Sequence, residues 1–456
     1  MVGIVAGTHW HAGAVGGVLL AALTAAALLL HRHAKVQTAT IFAAVAITGL
    51  LLINRQQHRH ALFISQCQRP FKAIVTSAPM EKPHTVAVDL LTTDGQWPLR
   101  CYIYNKVEAR RLHIGDALLV AAPVEAAEHG GFDRCMAKNK QWRKVGVEAG
   151  ELPLLLRSRL WFLHQREWVL ERYHATGAAN DAYALLAAMT LGDKSQLTTE
   201  LRTAYAGTGA AHVLALSGLH LGIVCSLLLL LLRRRRGRAV AQGIMILAIW
   251  AFAFLVGLPT SVIRAATMLS VYGLLSMGRR RGLSVNVLAF AAIVMLAVSP
   301  QSLFDVGFQL SFAAVFAILA LMPLWDSWVS PQSQQRHRLL SWLWSLFIIS
   351  VSAQLGTAPL AAYYFGQFPV CFLLTNLVVV PAVWLILHGA LLMLLLPAVA
   401  PAVTGLASGL NTAMEWLALQ PWASIDGLHP SILQVVLAYV AIAAVVMALM
   451  RWERLT

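Results

Sequence analysis

Charge is scarce in this chain. Asp and Glu contribute 20 of 456 residues and all charged residues together only 12%, about half the share of an ordinary soluble protein. With 58% hydrophobic residues and a mean hydropathy of +0.67, that scarcity points to a membrane. Cysteine is also sparse: Cys67, Cys101, Cys135, Cys225 and Cys371 show no CxxC or other metal-ligand spacing. Two of them lie inside hydrophobic runs, so a disulfide is possible only among the first three. No GxxxxGK[ST] loop occurs, so energy from a phosphate-loop nucleotide site has to come from elsewhere. No basic segment precedes the first hydrophobic run and a second follows closely, which predicts a retained segment rather than a cleaved signal peptide.

What the chain does have is long apolar runs. Ala12 to Leu30, Ala39 to Leu52, Val213 to Leu232, Ile432 to Met450 and the stretch after Cys371 approach or exceed the ~20 apolar residues a bilayer-crossing helix needs. Hydropathy predicts a polytopic α-helical membrane protein of about eleven crossings. Two precede residue 55, and nine follow near 213–232, 239–257, 260–278, 284–299, 303–324, 339–358, 371–397, 401–419 and 432–450. The formal charge of +15 sits largely in short basic clusters beside these runs. Arg233 to Arg236, Arg279 to Arg281, Arg336 with Arg338, and Arg451 with Arg454 all fall on one side of that topology, the cytoplasmic side by the positive-inside rule. The same parity places the N-terminus and residues 55 to 210 outside and the C-terminus in the cytoplasm.

Four domains follow: an N-terminal transmembrane hairpin (1–54), an extracytoplasmic β-barrel (55–150), an amphipathic helical segment (151–210) and a transmembrane domain (211–456). In the barrel, Phe71 to Thr76, Thr85 to Leu91, Leu99 to Tyr104 and Ala117 to Ala121 read as strands, punctuated by Asp94-Gly95, Gly115-Asp116, Pro83 and Pro123. Their number fits a small five-strand barrel of the OB type. Trp97, Tyr102, Tyr104 and Trp142, with Arg100, Lys138, Lys140, Arg143 and Lys144, offer base stacking and phosphate contacts; ordinary strand aromatics and solvated lysines would look the same. Leu156, Leu160, Leu163, Trp168 and Leu170 recur at helical spacing among arginines, the pattern of a helix lying at the membrane interface or of an ordinary buried helix.

From Leu191 to Val224 the chain reads LGDKSQLTTELRTAYAGTGAAHVLALSGLHLGIV. Its LGD (Leu191, Gly192, Asp193), its G-x-x-H step (Gly209, His212) and its ALSGLH (Ala215 to His220, with Gly218) resemble the ComEC competence family. GLPTSVIRAATM (Gly257 to Met268), Asn286, SPQSLFDVGFQLSF (Ser299 to Phe312) and FPVCFLLTNLVVVP (Phe368 to Pro381) match that family's later blocks in the same order. Gly115-Asp116 and GFDRCMAKN (Gly131 to Asn139) resemble its extracellular OB domain. The resemblance implies an inner-membrane channel that passes single-stranded DNA into the bacterial cytoplasm during natural transformation. It also implies partners: a periplasmic DNA receptor, a cytoplasmic helicase-like motor and single-strand-binding proteins. Full-length members continue into a metallo-β-lactamase-like domain whose HxHxDH-type cluster this sequence lacks, so the expectation is a conduit with no catalytic residues, no metal and no cofactor, served by a separate nuclease subunit. The H-x-H pairs at His31/His33 and His58/His60 lack a following Asp-His.

The residues support a channel independently. Polar groups inside a bilayer are costly unless they face water or a partner, so Ser217, His220, Arg264, Asp305, Gln309 and Asn376 are candidates to line a path open to the outside. Small residues at Ala211, Ala215, Gly218 and Gly222 permit close helix approach. For Arg264 the alternatives are a phosphate contact or neutralisation by Asp305. Two other readings stay open: a transporter of another polar or anionic solute, and a membrane-embedded enzyme using Asp193, Lys194, His212 and His220.

Overall fold

The computed structural model describes residues 1–10, 13–29, 33–94, 97–104, 106–127, 132–138, 140–147, 150, 152–177, 180–232, 238–277, 285–326 and 337–453. The clusters Arg233 to Arg236 and Arg279 to Arg281, together with His31, Gly131, Asn139, Arg336 and Arg454, lie outside them. The chain divides into two units, residues 1–161 with 290–305 and residues 162–289 with 306–456.

The first unit opens with helices α1 (Val2–Gly7), α2 (Gly13–Leu29) and α3 (Ala34–Gln66). Neither Gly nor Pro follows Gly49 until Pro70, so α3 runs on without a break. At about 1.5 Å per residue its 33 residues span about 50 Å, well beyond a hydrocarbon core of about 30 Å. The boundary expected after residue 54 is therefore absent, because polar residues 54 to 60 are compatible with helix and simply continue it. The last turns of α3 carry Phe63 and Cys67 into the core of the β domain.

That domain comprises β1 (Phe71–Val75), β2 (Met80–Glu81), β3 (Val86–Thr92), β4 (Pro98–Ile103), the short helix α4 (Lys106–Ala109), β5 (Ala117–Val120), β6 (Val124–Glu125), β7 (Asp133–Ala137) and β8 (Trp142–Val145). All four strands read from the sequence are present. The whole is one curled eight-stranded sheet in the order β6-β7-β4-β3-β1-β5-β8, with β2 on β3. Pairing is antiparallel except for β4 with β7, which run parallel with Arg100 opposite Arg134 and Tyr102 opposite Met136. Alternation places Leu99, Cys101 and Ile103 in the core and sends the residues between them outward. Cys101 and Cys135 are register partners. All five cysteines are free thiols, and all are buried.

From α5 (Leu154–His174) onward the chain is helical apart from a short antiparallel pairing of Gln367–Pro369 with Ser424–Asp426: α6 (Asn180–Leu191), α7 (Thr199–Gly207), α8 (Ala211–Leu214), α9 (Gly218–Leu232), α10 (Arg238–Leu255), α11 (Thr260–Met277), α12 (Val285–Val298), α13 (Val306–Asp326), α14 (Arg338–Phe365), α15 (Phe372–Leu395), α16 (Ala400–Ala418) and α17 (Ile432–Glu453). In α5, Leu156, Leu160 and Leu163 are buried while Trp161 and Trp168 are exposed. The segment does not continue as one interfacial helix, however. Residues 182 to 191 of α6 bury into a core shared with α7, α15 and α16, because its apolar residues surround the helix rather than forming a stripe. A buried relay ties these helices: Tyr205 Oη donates to Asn411 Oδ1 (3.0 Å), and Asn411 Nδ2 donates to the Asp181 carbonyl (3.0 Å).

Among the described residues four helical stretches are long and apolar enough to cross a membrane: Ala34–Gln66, Leu339–Phe365, Phe372–Leu395 and Ile432–Arg451. Shorter apolar helices include Gly218–Leu227, Val240–Leu255, Thr260–Leu275 and Val306–Met322. Two crossings expected as continuous runs are instead broken at their starts. The 213–232 run is interrupted at Ala215, whose backbone is extended, so α9 begins at Gly218. The 303–324 run begins as a 3-10 turn (Pro300–Phe304) and turns α-helical only at Val306, after Asp305.

Candidate functional site

In the second unit the motif blocks that are far apart in sequence meet. Helix α6 ends on Gly192, whose φ of +71° lies in the left-handed region. Its N–H closes an αL cap on the Ala188 carbonyl (3.1 Å). A Cβ there would come within 2.7 Å of Leu216 in the ALSGLH block, so the LGD turn is shaped both by its own backbone and by the helix start it touches. Asp193 accepts the Ser195 N–H (3.0 Å) and lies 3.9 Å from the Arg166 guanidinium of α5. Burial pushes the Arg166 pKa down from its ordinary value and Asp193 pulls it back up; the group stays cationic. Burial, reinforced by Arg202, likewise lowers Lys194. Gly257 of the GLPTS block faces the same stretch of α5, where a Cβ added to it would lie 3.4 Å from Leu163.

Gly209 repeats this logic. Its φ is +81°, and an added Cβ would meet Pro369 at 3.0 Å and Phe372 at 3.3 Å, while the Cys371 thiol donates to the Thr208 carbonyl (3.7 Å). The G-x-x-H step therefore seats on the FPVCF block. His212 bonds the Gly209 carbonyl through Nδ1 (3.0 Å).

Ser217 and His220 form a capping box around the start of α9. Leu219 N–H donates to Ser217 Oγ (3.3 Å), and Ser217 N–H donates to His220 Nδ1 (3.2 Å). Histidine occupies the position where Glu or Gln is usual, which spares an apolar helix start a buried carboxylate. Because Nδ1 accepts, the ring proton sits on Nε2, which is buried without a hydrogen-bond partner among the described residues. The pair therefore serves a helix end, not two points on one continuous stripe. The expected small-residue ridge has no neighbour within 4 Å of the Cβ position at Gly222, whereas a Cβ added at Gly218 would meet Ala265 of α11 at 3.7 Å.

Two of the other polar candidates bond a neighbouring helix. Tyr364 Oη of α14 donates to Gln309 Oε1 of α13 (2.8 Å). Asn376 Nδ2 of α15 donates to Ser350 Oγ of α14 (3.2 Å). Both are interhelical bonds of the kind that hold membrane helices together. Arg264 is buried in α11. Asp305 belongs to the first unit and Arg264 to the second. No cluster of metal-ligating side chains forms among the described residues, and His60 is engaged by Asp133 through Nε2 (2.8 Å).

The β-domain candidates separate into two groups. Arg100, Tyr102 and Tyr104 lie along β4 and its end. Lys140, Trp142 and Arg143 lie at or beside β8, and β3, β1 and β5 stand between. Arg100 is held by both oxygens of Asp89 (2.6 and 3.1 Å) and sits 5.1 Å from the Phe132 ring. Trp142 is 9% exposed and belongs to the core, so it offers no stacking surface; its indole fills the end of the sheet instead. Trp97 is likewise occupied, stacked on Phe63 of α3 at 4.9 Å. Sequence reading missed Phe132, Arg134 and Met136, which β7 presents beside β4. Burial alternates strictly from Phe132 to Lys138, but the residue types do not, since Asp133 is buried while Phe132 and Met136 are exposed, so no period-two signal stands in the sequence there.

The Competence protein family profile matches residues 189–452, the region in which these motif blocks interlock. The chain belongs to that family. ComE operon protein 3 of Bacillus subtilis is 33% identical over 202 residues, covering 44% of this chain and 25% of the relative. An uncharacterized protein of Aquifex aeolicus is 29% identical over 211 residues (46% of this chain, 47% of the relative), and the uncharacterized protein YcaI of Escherichia coli is 25% identical over 212 residues (44% and 27%). The competence protein described here thus aligns with between a quarter and about half the length of these relatives. No solved structure matches it.

Proposed function

We propose that this chain is the membrane conduit through which single-stranded DNA enters the bacterial cytoplasm in natural transformation. The observation that carries the reading is the match of residues 189–452 to the competence family, over a region rich in apolar helices. In this reading the protein is a multi-pass component of the cytoplasmic membrane with the β domain outside, as the expected positions of its arginine clusters favour. The β domain is of the OB type; its parallel β4–β7 pair and the helix between β4 and β5 support that assignment. In this reading the conduit works with a receptor outside, a helicase-like motor inside and single-strand-binding proteins.

The test is a deletion strain, with transformation frequency and uptake of labelled DNA measured together. Transformation is expected to fall to background while labelled DNA still reaches the cell surface and stays outside the cytoplasm. Normal transformation, with loss of uptake of some other anionic solute, would replace this reading with that of a solute transporter.

A further inference from the structure

We infer that the outer face of the β4–β7 pair is the binding surface for single-stranded nucleic acid, which moves the site from the second and third long strands to the third and the strand beyond it. In five-strand barrels of the OB type the second and third strands carry the oligonucleotide. Here β3, the second long strand, is closed on both sides: Val86, Val88 and Leu90 face the core, while Ala87 (1% exposed) and Leu91 (5%) are buried on the opposite side. Asp89, the remaining side chain of that face, is held by Arg100 and lies near the buried Arg159 of α5.

One strand further on, the surface changes character. The residues directed outward from β4 and β7 are Arg100, Tyr102 and Tyr104 beside Arg134, Met136 and Lys138. Tyr104 is 47% exposed and Met136 55%, large apolar surface that a solvated sheet normally does without. Side chains two apart on a strand stand about 7 Å apart, so Tyr102 and Tyr104 can each take a base from one extended strand. Any base has a π-face, so this contact is independent of sequence. Arg134 and Lys138 make no ion pair among the described residues and sit at the two ends of the aromatic stretch, where the backbone of such a strand would lie. Glu125 stands opposite Arg134 in the register, and the other carboxylate at that end, Asp89, is paired with Arg100. Arg100 is fixed by Asp89 and by the Phe132 ring, which makes it a wall of the surface and leaves phosphate contact to Arg134 and Lys138. An unstacked single strand fits this arrangement; a duplex, with its bases turned inward, does not.

The inference rests on the uptake reading for its biological meaning, but its test does not. The full chain in lipid nanodiscs would be titrated with fluorescein-labelled oligo-dT, followed by anisotropy. Tyr104→Ala should weaken binding by about tenfold, and Arg134→Gln or Lys138→Gln should each flatten the dependence of log K on log salt by about 0.7. Arg143→Gln, on β8, should change neither. All four side chains are exposed, and tryptophan emission would confirm folding. Equal losses from Arg143→Gln and Arg134→Gln, unchanged binding in Tyr104→Ala, or equal affinity for a polyanion without bases would each overturn the assignment. Lost oligonucleotide binding with unchanged transformation would sustain the face and count against the uptake reading instead.

Discussion

In the β domain the distinctive side chains point away from the core: Tyr104, Arg134, Met136 and Lys138 are exposed, and the fold beneath them depends on Leu99, Cys101, Cys135 and Ala137. In the helical unit the reverse holds. Gly192 touches Leu216, Gly209 touches Pro369 and Phe372, and Ser217 and His220 bond each other. Residues that carry a family motif are thus not automatically residues that meet a substrate. Inside an apolar medium, where helices gain little by hiding apolar surface from lipid, close packing and interhelical hydrogen bonds decide the fold, and motif residues are spent there.

The largest effect should come from the glycine junctions. Gly192→Val and Gly209→Val force a branched side chain into a left-handed backbone at about 1–2 kcal/mol and drive it into a packed neighbour at about 1–3 kcal/mol more. Both variants should melt well below wild type in detergent and accumulate poorly in membranes, whereas Tyr104→Ala should do neither. A wild-type melting curve for the valine variants would remove the distinction between packing motif and binding face.

A smaller effect separates two roles for His220. If it caps α9, His220→Ala should lose about 1 kcal/mol of stability, and His220→Gln should restore it, since glutamine accepts the same N–H in a capping box. Recovery of melting temperature without recovery of transformation would show that the ring does more than cap.

The smallest effect concerns pH. Burial, with the nearby charges of Cys135, Asp133 and Asp94, pushes the Cys67 thiol up to about 11, and its hydrogen bond with Cys135, followed by burial, raises Cys101 well above the usual thiol range. A raised pKa favours the neutral form in the folded state. The associated stability is therefore complete below the unfolded thiol pKa near 9 and is lost as pH rises toward about 11. Unfolding followed at pH 8 and pH 10.5 should show a modest loss at the higher value, and a Cys67→Ala, Cys101→Ala double variant should abolish that difference.

Much of this was legible in the sequence. Runs of β-branched and aromatic residues between turn signals located β1, β3, β4 and β5, with alternation plain in β4, which is half-buried, and absent from β3, which is buried on both faces, and the competence blocks were recognisable as words in a fixed order. The end of the β domain was not legible: Trp142 reads as a stacking aromatic until β8 is seen to turn it inward. The start of α9 was equally hidden, since Ser217-x-x-His220 follows the capping-box spacing with histidine where glutamate is expected.

Composition and hydropathy by themselves determined that the chain is built for a membrane, because apolar length and the scarcity of charge are properties of local sequence. Motif order determined the family for the same reason. Which tyrosines share a face with which arginines, and which glycines are contacts rather than hinges, was decided only by the tertiary structure. Those relations join residues tens to more than a hundred positions apart, and strand register and helix crossings, which no local pattern encodes, set them.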